Sequence, residues 1–288
     1  VAVPTTKTGV EALLGAHGFR PTRMRGQHFL VDRNLIEAIV RDADVGPGDC
    51  VLEIGTGTGI LTDALAARAG RVVTCDLDAR LQEIAKGLRE WPATVTFLLE
   101  DILAGKHALN PAVIGRWQSE GAAFAQGASA SLRLRIVSNL PYAVATPVLA
   151  NLLWDGIPVH DALVLVQREA AERFVAAPGT PAYGPMAIAV ALLAEAEVVR
   201  RVPPQVFWPP PKVDSALLRI TPRAPARAVE LRDRGLPSLL QDAFQQRRKT
   251  LGKRYGEARL RAAGIDPKSR PEDVAPDAWA RLLTVPPA

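Results

Sequence analysis

The sequence predicts a doubly wound α/β domain on a mostly parallel sheet, followed by a small helical C-terminal domain. Three observations carry this reading. Cys50 to Leu65 runs as an apolar strand, a glycine turn and a helix. Later predicted strands end at Asp76, Asp101 and Asn139, polar residues where such sheets hold their ligands. The charge then changes: residues 223–288 hold 14 Lys+Arg against 8 Asp+Glu, whereas residues 1–222 hold 21 against 22. The expected domains are therefore 1–222 and 223–288.

Residues 1–25 predict a helix or arm in which Arg20, Arg23 and Arg25 gather ahead of Gly26. GQHFL (26–30) precedes a helix with Asp32 or Asn34 as N-cap and Leu35, Ile36, Ile39 and Val40 facing inward. GPGD at 46–49 is a turn. Val51, Leu52 and Ile54 make the short apolar run of a buried parallel strand. Glycines at 55, 57 and 59 follow, then Ile60, Leu61, Ala64 and Leu65 at helical spacing. This order puts backbone N–H groups and a helix N-terminus at the strand's carboxyl end. Side chains there would hold a ligand off the backbone, hence glycine.

The dinucleotide fingerprint requires a third glycine three residues after the second, and that place is Ile60. The spacing is instead Glu-x-Gly-x-Gly-x-Gly from Glu53 to Gly59. It resembles the first motif of S-adenosylmethionine-dependent methyltransferases. RVVTCDLD carries a second strand to Asp76, whose carboxylate can accept hydrogen bonds from both hydroxyls of a ribose. Three readings stay open on these features: S-adenosylmethionine, a nicotinamide or flavin nucleotide, and a structural turn.

A helix over 79–91 stops at Pro92, and a third strand over 94–101 ends at Asp101. Residues 104–131 are rich in Ala, Gly and Ser with weak periodicity, which predicts a partly ordered surface insertion. LRLRIVSNLPY is a fourth strand running into Asn139, and ATPVLANLLW a helix with Pro147 in its first turn. DALVLVQREAAERFV gives a fifth strand and helix. AYGPMAIAVALLAEAEVVRRV and DSALLRIT read as two long strands that add an antiparallel hairpin to the parallel sheet. Residues 222–230 read as a linker, and the segments beyond it as short helices.

Composition narrows the function classes. Hydrophobic residues at 48% and charged residues at 23% fit an ordinary globular chain. No apolar run reaches membrane-spanning length and the first residues do not form a signal sequence, so a cytoplasmic protein without membrane partners is expected. Cys50 and Cys75 cannot make a disulfide framework and read as buried thiols. The 4 His and 2 Cys show no metal-site spacing. The basic tail on a nearly neutral body points to a polyanion such as nucleic acid, or to a solvated helical surface.

Asn139-Leu140-Pro141-Tyr142 fits the (Asn/Asp/Ser)-Pro-Pro-(Tyr/Phe) pattern of amino-group methyltransferases, with Leu for the first Pro. An exocyclic base amine is a poor nucleophile because its lone pair is delocalised into the ring. An Asn side-chain oxygen and a backbone carbonyl can accept its two N–H bonds and favour a pyramidal nitrogen. Pro141 stiffens the turn, and the Tyr142 ring offers a face on which a splayed-out base stacks, a task phenylalanine would share. The plainer reading is a turn with an Asn cap and a core tyrosine.

Taken together, the chain resembles the small-subunit ribosomal RNA adenine dimethyltransferases, which methylate two adjacent adenines near the 3′ end of that RNA. The likeness runs through GQHFL (26–30), LEIGTGTGILT (52–62), DLD (76–78), Asp101 and SNLPYAVATPVL (138–149). It continues through QREAAERFVAAPGTPAYG (167–184), VPPQVFWPPPKVDSALLRI (202–220) and AFQQRRKTL (243–251). The resemblance implies a seven-stranded methyltransferase sheet and S-adenosylmethionine as cofactor. It implies donor contacts from His28, Leu30, Gly55, Gly57, Asp76, Asp101 and Asn139, with Asp101 on the adenine amino group, Asp76 on the ribose and Asn139 bridging donor and target. His28 stands where the family commonly has Asn, and Asp76 where Glu is usual. The partners implied are small-subunit ribosomal RNA and the precursor small subunit, met by a monomer.

Arg247, Arg248 and Lys249, beside Phe244 and Gln246, would supply phosphate contacts or simply a solvated helix face. Phe207 and Trp208 are candidates for a wall of the target pocket. Two alternatives come with the likeness: a large-subunit RNA adenine methyltransferase of the resistance type, and a non-catalytic nucleic-acid-binding factor on the same fold. The NLPY wording and AFQQRRKTL favour the first assignment, and the intact glycine turn with Asp76 and Asp101 argues against lost catalysis.

Overall fold

The computed structural model describes residues 3–21, 27–127 and 132–286, so the expected roles of Arg23, Arg25 and Gly26 lie outside the described residues. The described residues form two compact units. The first draws on 1–149, 159–168 and 198–220; the second on 150–158, 169–197 and 221–288. The second unit thus takes in two segments that precede residue 223.

The first unit opens with α1 (Lys7–Ala16), where the Thr6 hydroxyl accepts from Gly9 N at 3.2 Å. After β1 (Phe29–Leu30) comes α2 (Arg33–Asp42), whose N-cap is Asp32, accepting from Leu35 N at 2.8 Å. Leu35, Ile36, Ile39 and Val40 are buried. Then follow β2 (Asp49–Ile54), α3 (Ile60–Ala66), β3 (Arg71–Asp76), α4 (Ala79–Gly87) and β4 (Val95–Leu99). Every residue of β2 is buried, as a strand covered on both faces requires.

Residues 104–131 are not a loose insertion. A small antiparallel pair, β5 (Leu103–Gly105) and β6 (Ala108–Leu109), leads into the long helix α5 (Pro111–Gly127), and residues 128–131 lie outside the described ones. Trp117 is fully buried, its indole N–H donating to Cys50 O at 3.0 Å. A Cβ at Gly121 would fall 2.7 Å from Leu134. The small residues that read as disorder are what lets this crossover helix ride close to the sheet.

The chain continues through β7 (Arg133–Asn139), α6 (Tyr142–Trp154), β8 (Asp161–Gln167), α7 (Arg168–Phe174), α8 (Pro185–Leu193), β9 (Ala194–Val202), β10 (Phe207–Trp208) and β11 (Ser215–Pro222). Seven strands form one sheet in the order β4-β3-β2-β7-β8-β11-β9. Neighbours from β4 to β8 are parallel, and β11 is antiparallel to β8. The doubly wound, mostly parallel sheet is therefore present. Two strand–helix assignments change. The apolar stretch expected as one long strand is the helix α8 followed by β9, because an unbroken apolar run serves a buried helix as well as a buried strand. Pro185 at its first position suits a helix start. Helix α6 begins at Tyr142, which leaves Pro147 inside it.

At the amino ends of β2, β7 and β8 lies a network of charges. Arg135, 4% exposed, donates through Nη1 to both Asp161 oxygens at 3.0 Å and to Ala43 O at 2.6 Å. Arg133 donates to both oxygens of the buried Asp49 at 2.6 and 3.1 Å.

The second unit is helical and takes in the first residues of β9. Residues 222–230, expected as a linker, enter α9 (Pro225–Asp233). Four more helices follow: α10 (Leu236–Gln245), α11 (Gly252–Tyr255), α12 (Glu257–Ala262) and α13 (Pro276–Leu282). Tyr183, Phe244 and Trp279 pack ring to ring at 6.4 and 6.1 Å, and the Tyr183 hydroxyl donates to Val274 O at 2.8 Å. Among the described residues no helix is long and apolar enough to cross a membrane.

Candidate active site

The glycine turn closes β2 onto β3. Gly55 N and Thr56 N both donate to Cys75 O, at 2.7 and 3.2 Å. Gly57 has φ 54°, a left-handed conformation that side chains disfavour, and its N–H donates to Asp76 Oδ2 at 2.9 Å. Asp76 Oδ1 accepts from Asp78 N at 2.9 Å. Burial raises the Asp76 pKa, and the bonds from Asp78 and Gly57 oppose that rise. Backbone N–H groups hold both carboxylate oxygens, and a carboxylate has lone pairs enough for a further donor.

Beneath the turn, the Glu53 carboxyl is fully buried and accepts from Thr62 Oγ1 at 2.5 Å. Burial pushes its pKa up to about 8. Glu53 therefore supports the turn from below and takes no part in the lining of the cavity above. Both cysteines are free and buried; burial pushes Cys75, which does border the cavity, up to about 12, so its thiol stays protonated.

That cavity, of about 280 Å³, lies at the carboxyl ends of the strands. It brings together His28, Gly55, Gly57, Asp76, Asp101, Asn139, Leu140, Pro141 and Tyr142, nine of the residues singled out in the sequence. The glycine turn and the NLPY turn touch: a Cβ at Gly55 would fall 3.4 Å from the Pro141 ring and 3.7 Å from Asn139 O. Asp101 accepts from Leu103 N at 2.9 Å, while its carbonyl takes Asn110 Nδ2 at 2.8 Å.

Asn139 is the last residue of β7, and its Nδ2 donates to His28 O at 3.1 Å. A carbonyl there requires the amide nitrogen to face it, so Oδ1 is the end left to accept. Among the described residues Oδ1 has no hydrogen-bond partner. Leu140 N donates to Leu165 O at 3.1 Å, which ties the turn to β8. His28 has Nδ1 2.6 Å from Pro209 O and its ring centroid 5.5 Å from that of Tyr142. Only a donor can meet a carbonyl oxygen, so Nδ1 carries the proton.

Other expectations find different places. Leu30 pairs with Phe207 and packs in the core with Ile36 and Val51, outside the cavity lining. Phe207 is buried, and Trp208 pairs with Phe29; neither borders the cavity. Residues 246–249 form a turn after α10 and not a helix face. In the second unit Arg247 pairs with Glu272 and donates to Pro181 O at 2.8 Å and Thr180 O at 3.2 Å. It staples the APGTPAYG loop, whereas Arg248 and Lys249 are exposed.

The sequence reading passed over Leu77, Glu100 and Ile102, which also line the cavity. Leu77 carried a usable signal: a large apolar residue directly after a strand-end acid, 67% exposed. The residues fit a nucleoside donor: a turn kept open by glycines, a carboxylate with free lone pairs, and apolar walls beside it.

Comparison with known proteins agrees with this geometry. The ribosomal RNA adenine dimethylase family model matches residues 19–285. A Geobacillus thermodenitrificans protein, ribosomal RNA small subunit methyltransferase A, is 37% identical over 285 residues, covering 94% of this chain and 92% of its own. Its namesake from Alkaliphilus metalliredigens is 33% identical over 283 residues, covering 94% of each. Among solved structures, a dimethyladenosine transferase from Plasmodium falciparum superimposes with TM-score 0.69 at 23% identity, over 89% of this chain and 96% of its own. The 23S rRNA methyltransferase ErmE does so with TM-score 0.58 at 26% identity, over 89% and 98%. A family match spanning residues 19–285 and full-length relatives above 30% identity lead to one conclusion. This chain belongs to the ribosomal RNA adenine dimethylase family.

Proposed function

We propose that the protein transfers methyl groups from S-adenosylmethionine to the N6 amino groups of two adjacent adenines near the 3′ end of small-subunit ribosomal RNA, within the precursor small subunit. The observation that carries this is the orientation of Asn139: its amide nitrogen is occupied by His28 O, which leaves Oδ1 as an acceptor at the cavity. Small-subunit relatives above 30% identity support this RNA over the large-subunit one.

When bound, S-adenosylmethionine supplies a methyl group activated by its sulfonium. Asp76 would hold the ribose hydroxyls and Asp101 the adenine amino group, with Gly55 and Gly57 admitting the ligand to the backbone. Asn139 Oδ1 and a backbone carbonyl of the NLPY turn accept the two N–H bonds of the target amine. Those bonds draw the nitrogen toward a pyramidal shape and free its lone pair. The Tyr142 ring receives the face of the adenine. Methylation of undermodified small subunits and of naked RNA, with mass mapping of the products, tests the whole reading. Two dimethylated adenines near the 3′ end are expected; methyl groups on large-subunit RNA alone, or none, would overturn it.

Donor binding is expected to depend on the turn. Gly57→Val forces a side chain into φ 54° and should abolish measurable binding. Asp76→Ala should weaken it by about 1–3 kcal/mol through the lost ribose bonds. Calorimetric titration with S-adenosylmethionine reads both, and unchanged affinity in two folded variants would remove the donor assignment.

For the RNA, Arg248 and Lys249 are the exposed members of the basic run. Replacing both with Ala should leave donor affinity alone and flatten the salt dependence of RNA binding by about one slope unit per phosphate contact. Arg247→Ala should instead lower stability, since it frees Glu272 and the 180–181 carbonyls. An unaltered salt slope would make the run a solvated surface.

A further inference from the structure

Tyr142 opens α6 directly after the NLP turn, and its ring borders the cavity. Its hydroxyl lies 2.6 Å from Ser215 Oγ. Ser215 is completely buried at the start of β11. Its position is set by register, because Ser215 pairs with Gln167 and the pairing continues in step to Ile220 opposite Ala162. Among the described residues neither hydroxyl has a second hydrogen-bond partner. A buried hydroxyl without a partner is unfavourable, so Ser215 depends on the Tyr142 hydroxyl.

We infer that Ser215 is a positioning residue for methyl transfer: by anchoring the Tyr142 hydroxyl it fixes the axis, and so the position, of the ring against which the target adenine stacks. A tyrosine held at both ends, by its backbone at the helix start and by its hydroxyl on a strand, keeps one χ1 well and one direction of its ring axis. A phenylalanine keeps the apolar face and loses the far anchor, so it is not an equivalent replacement. Burial raises the Tyr142 pKa, against the Ser215 bond, so the phenol stays protonated and acts as an anchor and not as an acid or base. Anchoring matters here because a base displaced from the NLPY acceptors by a fraction of an ångström loses its alignment.

This inference rests on the proposed methyl transfer, and two readouts keep the failures apart. Single-turnover methylation of undermodified small subunits, at saturating S-adenosylmethionine, is compared for wild type, Ser215→Ala, Tyr142→Phe and the double variant. Each single variant is expected to lose about 10-fold in rate, and the double variant no more than either, because both remove the same bond. Donor affinity by calorimetry should be unchanged in all three. Independently of activity, NMR of ¹³C-labelled tyrosine should show one χ1 rotamer for Tyr142 in wild type and rotamer averaging in Ser215→Ala. Should Ser215→Ala not fold, Tyr142→Phe alone decides: a wild-type rate overturns the anchor. Losses that multiply in the double variant overturn it too, as does a Tyr142 χ1 equally fixed without Ser215. If wild type itself transfers no methyl group, the proposed function fails while the ring resonance still tests the anchor.

Discussion

Asn139→Ala is expected to slow single-turnover methylation by ~10²–10³, the penalty for losing one preorganised hydrogen bond that strengthens toward the transition state. The size follows from how the side chain is held. Asn139 sits on the last residue of a central strand, and its amide nitrogen is committed to His28 O. Oδ1 therefore waits in place and needs no reorganisation when a nitrogen begins to pyramidalise. RNA affinity should barely change, because phosphate contacts dominate it. Rapid-quench measurement with saturating donor and small subunits separates the two effects. Near-normal turnover in a folded variant would reduce NLPY to a structural turn.

Asp161→Ala is expected to lower unfolding stability by about 3–5 kcal/mol, as when one member of a buried ion pair is removed. Both Asp161 oxygens receive Arg135 Nη1, and the Arg135 side chain is only 4% exposed. Without Asp161 that guanidinium keeps Ala43 O and a 3.4 Å approach to Asp49, which Arg133 already occupies. The control is Glu257→Ala, which breaks an exposed pair with Arg261 and should change stability by less than about 0.5 kcal/mol. Denaturant midpoints for the two variants compare them directly; equal shifts would mean that water reaches Arg135.

The parts of the fold that the sequence made legible are those where local and global demands agree. Asp32 precedes an apolar face at helical spacing and caps α2. Gly55 and Gly57 of the first turn, Asp76 and the NLPY turn all lie around one cavity. Where the two demands diverge, the sequence misleads. Helix α5 looks loose because Gly121 and its alanines are small, and their smallness answers to the sheet beneath them. Helix α8 is apolar throughout and buried over most of its length, with only Ala191 exposed, and such a run has no periodicity to show. Arg247 resembles its exposed neighbours in type, yet its partners, Glu272, Thr180 and Pro181, are distant in sequence. The Ser215 anchor escaped for the same reason: nothing near residue 142 announces a bond to residue 215.

The order of the sheet has a bearing on how the protein is born. Strand β11 lies between β8 and β9, although it is made after both. A nascent chain that has reached Val202 thus holds β8 with one edge open and β9 with no strand beside it. Both wait for Ser215–Pro222 to leave the ribosome and slot between them. Until then the hydroxyl of Tyr142 has nothing to hold. Completion of the sheet and formation of the Tyr142–Ser215 bond are thus one late event in synthesis, so an unfinished chain carries the glycine turn without the proposed anchor.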